Sequence, residues 1–173
     1  MSTQSSIEIR SATADDAATL AETISLAYRD VARSFGITAQ NAPTHPSNAE
    51  SQWVLSDLAS GMSYVMAILG NSCIGCVAFK QSGNTLEAQR LAVVPSHRGG
   101  HVARLLNDAV LHAARSAGAA TIRISIVADH HSLRRWYERM GFRPVESRSF
   151  DHLPFEVQYL ELNVLNMRDD RRI

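Results

Sequence analysis

The residues best placed to do chemistry lie in HRGGHVARLL, residues 97–106, where an arginine and two glycines stand directly before a run with helical spacing. The first turn of a helix carries backbone N–H groups with no partner inside the helix. Its aligned peptide dipoles add roughly half a positive charge at that end. Glycine lets a ligand approach the backbone closely. Together these features suit a phosphate or diphosphate, with Gly99, Gly100, His101, Val102 and Ala103 supplying backbone and Arg98 a fixed charge with paired donors. Arg104, under two turns further on, is placed to assist. A P-loop nucleotide site needs Gly-Lys-Ser/Thr, and the chain has none after its glycines. A dinucleotide fold wants Gly-x-Gly-x-x-Gly after the first strand of a parallel unit, whereas these glycines are adjacent and follow an antiparallel set. A coenzyme A diphosphate is the third candidate.

Other reactive side chains point to less. Cys73 and Cys76, the only two cysteines, form a CxxC within SCIGCVAF. No second ligand pair accompanies them, as a structural zinc site requires. A thioredoxin-like pair sits at a helix start, but this segment has strand character. Residues three apart on a regular strand face opposite ways, so both are expected to be packing residues. The histidines at 45, 97, 101, 112, 130, 131 and 152 form no HExxH and no zinc-ligand spacing with carboxylates. No metal is expected.

The elements that must position the glycine-rich segment can be read along the chain. A short strand at 7–10 precedes a helix that Thr13 should cap, with acidic residues in its first turn and Leu20, Ile24 and Ala27 at helical spacing. Residues 36–48, rich in Pro, Asn and Thr, form a loop long enough to suggest a binding role. Ser47 and Glu50 match a capping box, predicting a helix through Leu58 that Gly61 ends. Strands follow at 62–69, 72–80 and 85–94, joined by Gly70-Asn71 and Ser82-Gly83-Asn84, turns short enough to require antiparallel hairpins. The helix after Pro95 runs to about Ala117, with Val102, Leu105, Leu106, Ala109 and Ala113 on one face. A strand at 120–128, a short helix at 131–140 and two strands at 142–150 and 156–164 complete the order β-α-α-β-β-β-α-β-α-β-β. The fold class is therefore α/β, a single mixed and mostly antiparallel sheet flanked by helices. A single domain is expected over 1–173, its core about 7–164, with a charged tail at 165–173.

Lys plus Arg equals Asp plus Glu at 17 each, so no net field favours a polyanion, and nucleic acid is not an expected partner. No apolar stretch approaches a membrane span. The first residues have no basic head and no apolar block. A cytoplasmic location is the expectation.

The run RLAVVPSHRGGHVARLL resembles the acyl-CoA signature of the GCN5-related N-acetyltransferases (GNAT), in which Arg/Gln-x-x-Gly-x-Gly/Ala follows a strand ending in Val-x-Pro. Val93, Pro95, Arg98, Val102 and Ala103 match. The segment WYERMGFRPV, residues 136–145, is similar to the second signature, a helical tyrosine followed by Gly-Phe. Two blocks in order, joined by the right crossover, make the resemblance specific, and the element order agrees over about 7–164. The chain departs from the pattern at two places. The central glycine falls on His101, which still offers its N–H if the side chain turns away. The asparagine common before the tyrosine falls on His130, altering a contact to the CoA arm.

The resemblance implies the GNAT fold and direct transfer of an acetyl group from acetyl-CoA to a primary amine of a small molecule or peptide. It implies that the pantetheine arm pairs with the backbone of Leu91, Ala92 and Val93, where a bulge splays the central strands. The N–H of Leu91 would face the developing oxyanion. Glu87 occupies a position where many members carry a general base, and 87, 89 and 91 are expected to share one face. Tyr137 matches the general acid that reprotonates the thiolate. The acceptor side should be built from the first two helices, the 36–48 loop and residues 150–156. Dimerisation is common in the family, and the last strands are its expected place. Two other readings are a catalytically weak acyl-CoA-binding sensor, which needs only the Arg98 pocket, and an O-acyltransferase.

Overall fold

The computed structural model describes residues 6–167; residues 168–173, most of the expected charged tail, lie outside that range. The chain forms β1 (Ile7–Ser11), α1 (Ala17–Ser34), α2 (Ser51–Ala59), β2 (Ser63–Leu69), β3 (Ser72–Ser82), β4 (Thr85–Val93), α3 (Val102–Ser116), β5 (Thr121–Val127), α4 (His131–Arg139), β6 (Arg143–Arg148) and β7 (Val157–Asn163). The seven strands make one sheet in the order β1-β2-β3-β4-β5-β7-β6. Every neighbouring pair is antiparallel except β4 and β5. This is the mixed, helix-flanked sheet that the sequence predicts.

Each face of the sheet carries its own core. On one face Leu20, Ile24 and Ala27 of α1 pack with Val54 of α2 against Tyr64, Met66, Cys76 and Ala78. On the other, Val102, Leu106, Val110 and Ala114 of α3 cover Val65, Ile74, Val77, Leu86 and Ile122. The α3 stripe falls at every fourth residue, so Leu105, Ala109 and Ala113 flank it instead of forming its centre. Gly75 allows the approach of α3: a Cβ there would stand 2.7 Å from the Ala92 carbonyl oxygen and 3.1 Å from both Val102 and Leu106.

Three local expectations need correction. Thr13 caps a short 3₁₀ turn, Ala14–Asp16, through a reciprocal box with Asp16, and α1 begins only after it. The Ser47–Glu50 box does not form, because Ser47 lies in a separate 3₁₀ turn, Pro46–Asn48, and Glu50 stands at the N-cap position of α2, where its side chain makes no capping bond. The Ser47 hydroxyl meets His45 Nδ1 at 2.8 Å instead. Finally, Cys73 and Cys76 share a face. The β2–β3 register slips by one residue near Ile74, so alternation is broken and both cysteines pack on the α1 side.

Candidate active site

The site begins with a break in the sheet. β4 and β5 pair only over Thr85–Thr121, Leu86–Ile122 and Glu87–Arg123. Beyond Glu87 the two strands diverge. On its other side β4 pairs Gln89 with Ala78 and Ala92 with Cys76, which leaves Arg90 and Leu91 opposite the single residue Val77. Two residues facing one define a β-bulge, which bends a strand and resets its alternation. Arg90 takes φ +55°, in the left-handed region that side chains disfavour. Its guanidinium is held by Asp57 of α2 and Tyr64 of β2, and the Tyr64 hydroxyl donates to Asp57 at 2.6 Å. The Asp57–Arg90 pair is mostly buried. Tyr28 of α1 donates its hydroxyl to the Leu91 carbonyl at 3.1 Å. The bulge is thus fastened from both sides.

Two adjoining cavities fill the gap. The wider, about 720 Å³, is bounded by the end of α1, Leu91, Ala92, Val93, Arg98, Ala103 and the start of α4, including His130. The narrower, about 310 Å³, lies between the diverging strands and reaches Val110 of α3, Ser125 of β5 and Tyr137 of α4. Tyr28, Val31, Leu91, His130 and Leu133 border both. Thr44, His45 and Pro46 from one loop, and Leu153 and Phe155 from another, wall the narrower cavity. These two loops lock together: Phe35, Ile37, Ala42, Leu153 and Phe155 form a small core beside Ala32.

Most of the expected residues meet at these cavities, though not in every expected role. The α3 N-terminus is exposed at Gly99, Gly100 and His101, with Gly99 at φ +78° turning the chain into the helix. The Leu105 N–H is the first to bond back, to His101, so the amides of Val102, Ala103 and Arg104 have no intrahelical partner. Val102 turns its side chain into the core. Arg98 is not aimed solely at a ligand. It donates to Asp30 at 2.7 Å, to the Ala27 carbonyl at 2.6 Å and to the Val93 carbonyl at 3.2 Å, tying α1 to the end of β4. Glu87 is exposed at the last paired rung of β4 and β5 and lines neither cavity. The expected shared face of 87, 89 and 91 is also lost. Gln89 reaches Met62 on the α2 side, whereas Leu91 packs with the α3 core, because the bulge at Arg90 inverts the alternation.

Tyr137 is buried, with its ring against Trp136 at 4.9 Å and Phe142 at 5.2 Å. Burial pushes its phenol well above the usual range, with the neighbouring Tyr28 adding to the shift. Burial does the same to Tyr28, so both hydroxyls stay protonated and can donate at neutral pH. His130, at the start of α4, contacts the Phe35 ring at 5.6 Å, and burial lowers its imidazole pKa.

The acetyltransferase (GNAT) family model matches residues 27–142, which include the bulge, the α3 start and Tyr137. The chain belongs to the GNAT acetyltransferase family. It is an acetyl-CoA-dependent acetyltransferase. The GNAT architecture is shared with the PaiA N-acetyltransferase of Thermoplasma acidophilum in complex with coenzyme A, at TM-score 0.76 and 17% identity over 91% of this chain and 99% of that one. The ribosomal-protein-S18-alanine N-acetyltransferase of Escherichia coli aligns at TM-score 0.74 and 13% identity, over 97% and 99%. YncA of Salmonella typhimurium, with its cofactor acetyl-CoA, aligns at TM-score 0.66 and 16% identity, over 96% and 99%. The chain has no match among curated protein sequences.

The GNAT chain's own residues fit its cosubstrate. A run of amides without intrahelical partners at α3 suits a diphosphate; of that turn Ala103 borders the wider cavity, which extends past the β4 backbone to Leu91, whereas Gly99, Gly100, His101 and Val102 line neither cavity. Among the described residues no three His, Cys, Asp or Glu side chains stand together to hold a metal, and no helix is long and apolar enough to cross a membrane. The sequence reading missed Tyr28, His45 and the Arg90–Asp57–Tyr64 cluster. Tyr28 falls on the apolar stripe of α1, and no local pattern distinguishes it from a packing residue. Arg90 carried one legible signal, a charged residue inside an otherwise alternating strand.

Proposed function

We propose that the protein transfers the acetyl group of acetyl-CoA to a primary amine by direct attack, within the gap that opens between β4 and β5. The observation that carries this reading is the free edge of β4 from Ala88 to Val93, bulged at Arg90 and Leu91. A pantetheine arm can pair with such an edge as an added strand. The diphosphate would rest on the amides of Gly99 to Ala103, with Arg104 alongside. Arg98 would steady the joint between α1 and β4 and lend its charge to the wider cavity.

The amine nitrogen attacks the thioester carbonyl carbon, the C–N bond forms, and charge collects on the carbonyl oxygen. The Leu91 N–H, on the bulge, is the donor proposed to meet that oxygen. The C–S bond then breaks, and the amine proton passes through water to leave a neutral amide and CoA thiol. Thiols are mildly basic, near 8.5 like cysteine, far below the raised phenol of Tyr137. Tyr137 is therefore better suited to donate a hydrogen bond to the departing sulfur than to surrender its proton. Glu87, exposed at the paired end of the strands, would act on the amine only through intervening water.

The test is thiol release from acetyl-CoA with a panel of amines, with the acetylated product identified by mass. Wild-type protein should release thiol only with an amine present. Tyr137→Phe should lower kcat by about 10-fold, below the range of general acid–base effects as befits a hydrogen-bond donor, with little change in acetyl-CoA affinity. Glu87→Gln should stay within a few-fold of wild type. A loss of about 100-fold in Glu87→Gln would restore it as the base. Binding of acetyl-CoA with no transfer to any amine would favour the sensor reading.

A further inference from the structure

We propose that the acceptor is a small primary amine on an uncharged aromatic or apolar body, and that amines bearing a second positive charge are rejected. This rests on the transfer reading above and names the substrate class of the same cavity.

The charged and titratable residues lining the narrower cavity are Tyr28, His45, Arg90, His130 and Tyr137; among the described residues no carboxylate lines it. Asp30 and Asp129 border only the wider cavity, where Asp30 is paired with Arg98. An acceptor with a second ammonium would therefore bring that charge against walls without a counter-ion, the Asp57 carboxylate being already paired with Arg90. Burying an unpaired charge is among the most costly events in a site.

The walls favour a ring instead. Tyr28 and Phe155 both meet His45 edge-on, at centroid distances of 5.8 Å and 6.3 Å with interplanar angles of 78° and 77°. Edge-to-face contacts of this kind extend readily to a further aromatic ring. Leu153 and Val157 add apolar surface. His45 is nearly fully buried, and its Nδ1 accepts the Ser47 backbone N–H at 3.2 Å. A backbone N–H can only donate, so the neutral ring carries its proton on Nε2 and offers one donor. Burial holds that ring neutral, with a pKa of about 4. It attracts no cation and takes no proton from the amine at neutral pH. A volume of about 310 Å³ lies at the small end of ligand pockets, roughly 300–1,000 Å³. Part of it must receive the acetyl group. A single-ring amine fits that space.

The experiment compares kcat/KM for 2-phenylethylamine, 3-methylbutylamine, 1,4-diaminobutane and spermidine, using full-length protein and acetyl-CoA. The two monoamines should exceed the two polyamines by about 100-fold or more. Gln89→Glu, which sets a carboxylate on the cavity wall, should shift the diaminobutane-to-phenylethylamine ratio toward the diamine by about 5-fold. Equal or preferred use of spermidine, or a ratio unmoved in a folded Gln89→Glu protein, would overturn the substrate class and leave the transferase reading standing. Acetyl-CoA binding by calorimetry with no amine acetylated would overturn both.

Discussion

Arg90 concentrates the physics of this site in one residue. Its left-handed backbone costs a side chain roughly 1–2 kcal/mol, and the structure meets that cost with a paired guanidinium. Asp57 and Tyr64 come from α2 and β2, so the bulge is set by long-range contacts. Asp57→Ala would leave the Arg90 guanidinium buried without its anion. The expected result is a loss of about 2 kcal/mol in unfolding free energy. A fall in kcat larger than the change in acetyl-CoA KM should accompany it, because the residue positions the bulge and does not touch the cosubstrate. Asp57→Asn, which keeps an acceptor, should recover part of the loss. Chemical denaturation and steady-state kinetics on the three proteins check this. The α3 amides were legible from local residue types and spacing, whereas Tyr137 was singled out only by the resemblance of residues 136–145 to the second GNAT signature. The sequence could not show that Leu91 and Gln89 face opposite ways, because strict alternation holds only until a bulge, and this bulge is paid for by residues 26 and 33 positions away.

Among the elements, strand and helix boundaries followed closely from hydrophobic period and turn chemistry. The capping box at Ser47 failed for a specific reason: the His45 ring captured the serine hydroxyl and backbone N–H first. The close contact of β3 with α3 also escaped notice, since only the packed structure shows why residue 75 is glycine. Gly75→Ala must displace the Ala92 carbonyl or lift α3 from the sheet. Destabilisation of about 1–3 kcal/mol is expected, seen as a lower Tm with the fold otherwise kept. The entry to α1 gives a pH signature. The Arg10 guanidinium and the Thr13 N–H hold the Asp16 carboxyl at about 2, below its ordinary 3.8. A depressed carboxylate stabilises the fold above its unfolded pKa and loses that contribution as pH falls through the folded one. Stability should therefore drop between about pH 4 and about pH 2, and Asp16→Asn should flatten that part of a Tm-versus-pH curve. The neutral His45, at about 4 against 6.5, adds an earlier loss between those two values, because only the unfolded state takes the proton there.

At the scale of the molecule, one sheet covered on both faces is opened at a single seam. The core on the α3 face spans both strands of that seam: Val77, Ala88, Ile124 and Ile126 belong to it and also line the narrower cavity, so the gap beyond Glu87 opens onto that core. The order of elements foretold this sheet, and the resemblance led to the expectation of a bulge at residues 91–93 that splays the central strands; the bulge lies at Arg90 and Leu91. The 36–48 loop and residues 150–156 were expected on the acceptor side; which of their residues wall the narrower cavity, Thr44, His45, Pro46, Leu153 and Phe155 and neither Asp151 nor Glu156, emerges only when the segments meet. The most direct measurement is a crystal structure of the protein with coenzyme A bound. The pantetheine should lie along β4 from Ala88 to Val93 with backbone hydrogen bonds, its sulfur near Tyr137 and its diphosphate on the amides of residues 99–103. Coenzyme A bound away from that edge, or β4 and β5 zipped together beyond Glu87 in the complex, would contradict it.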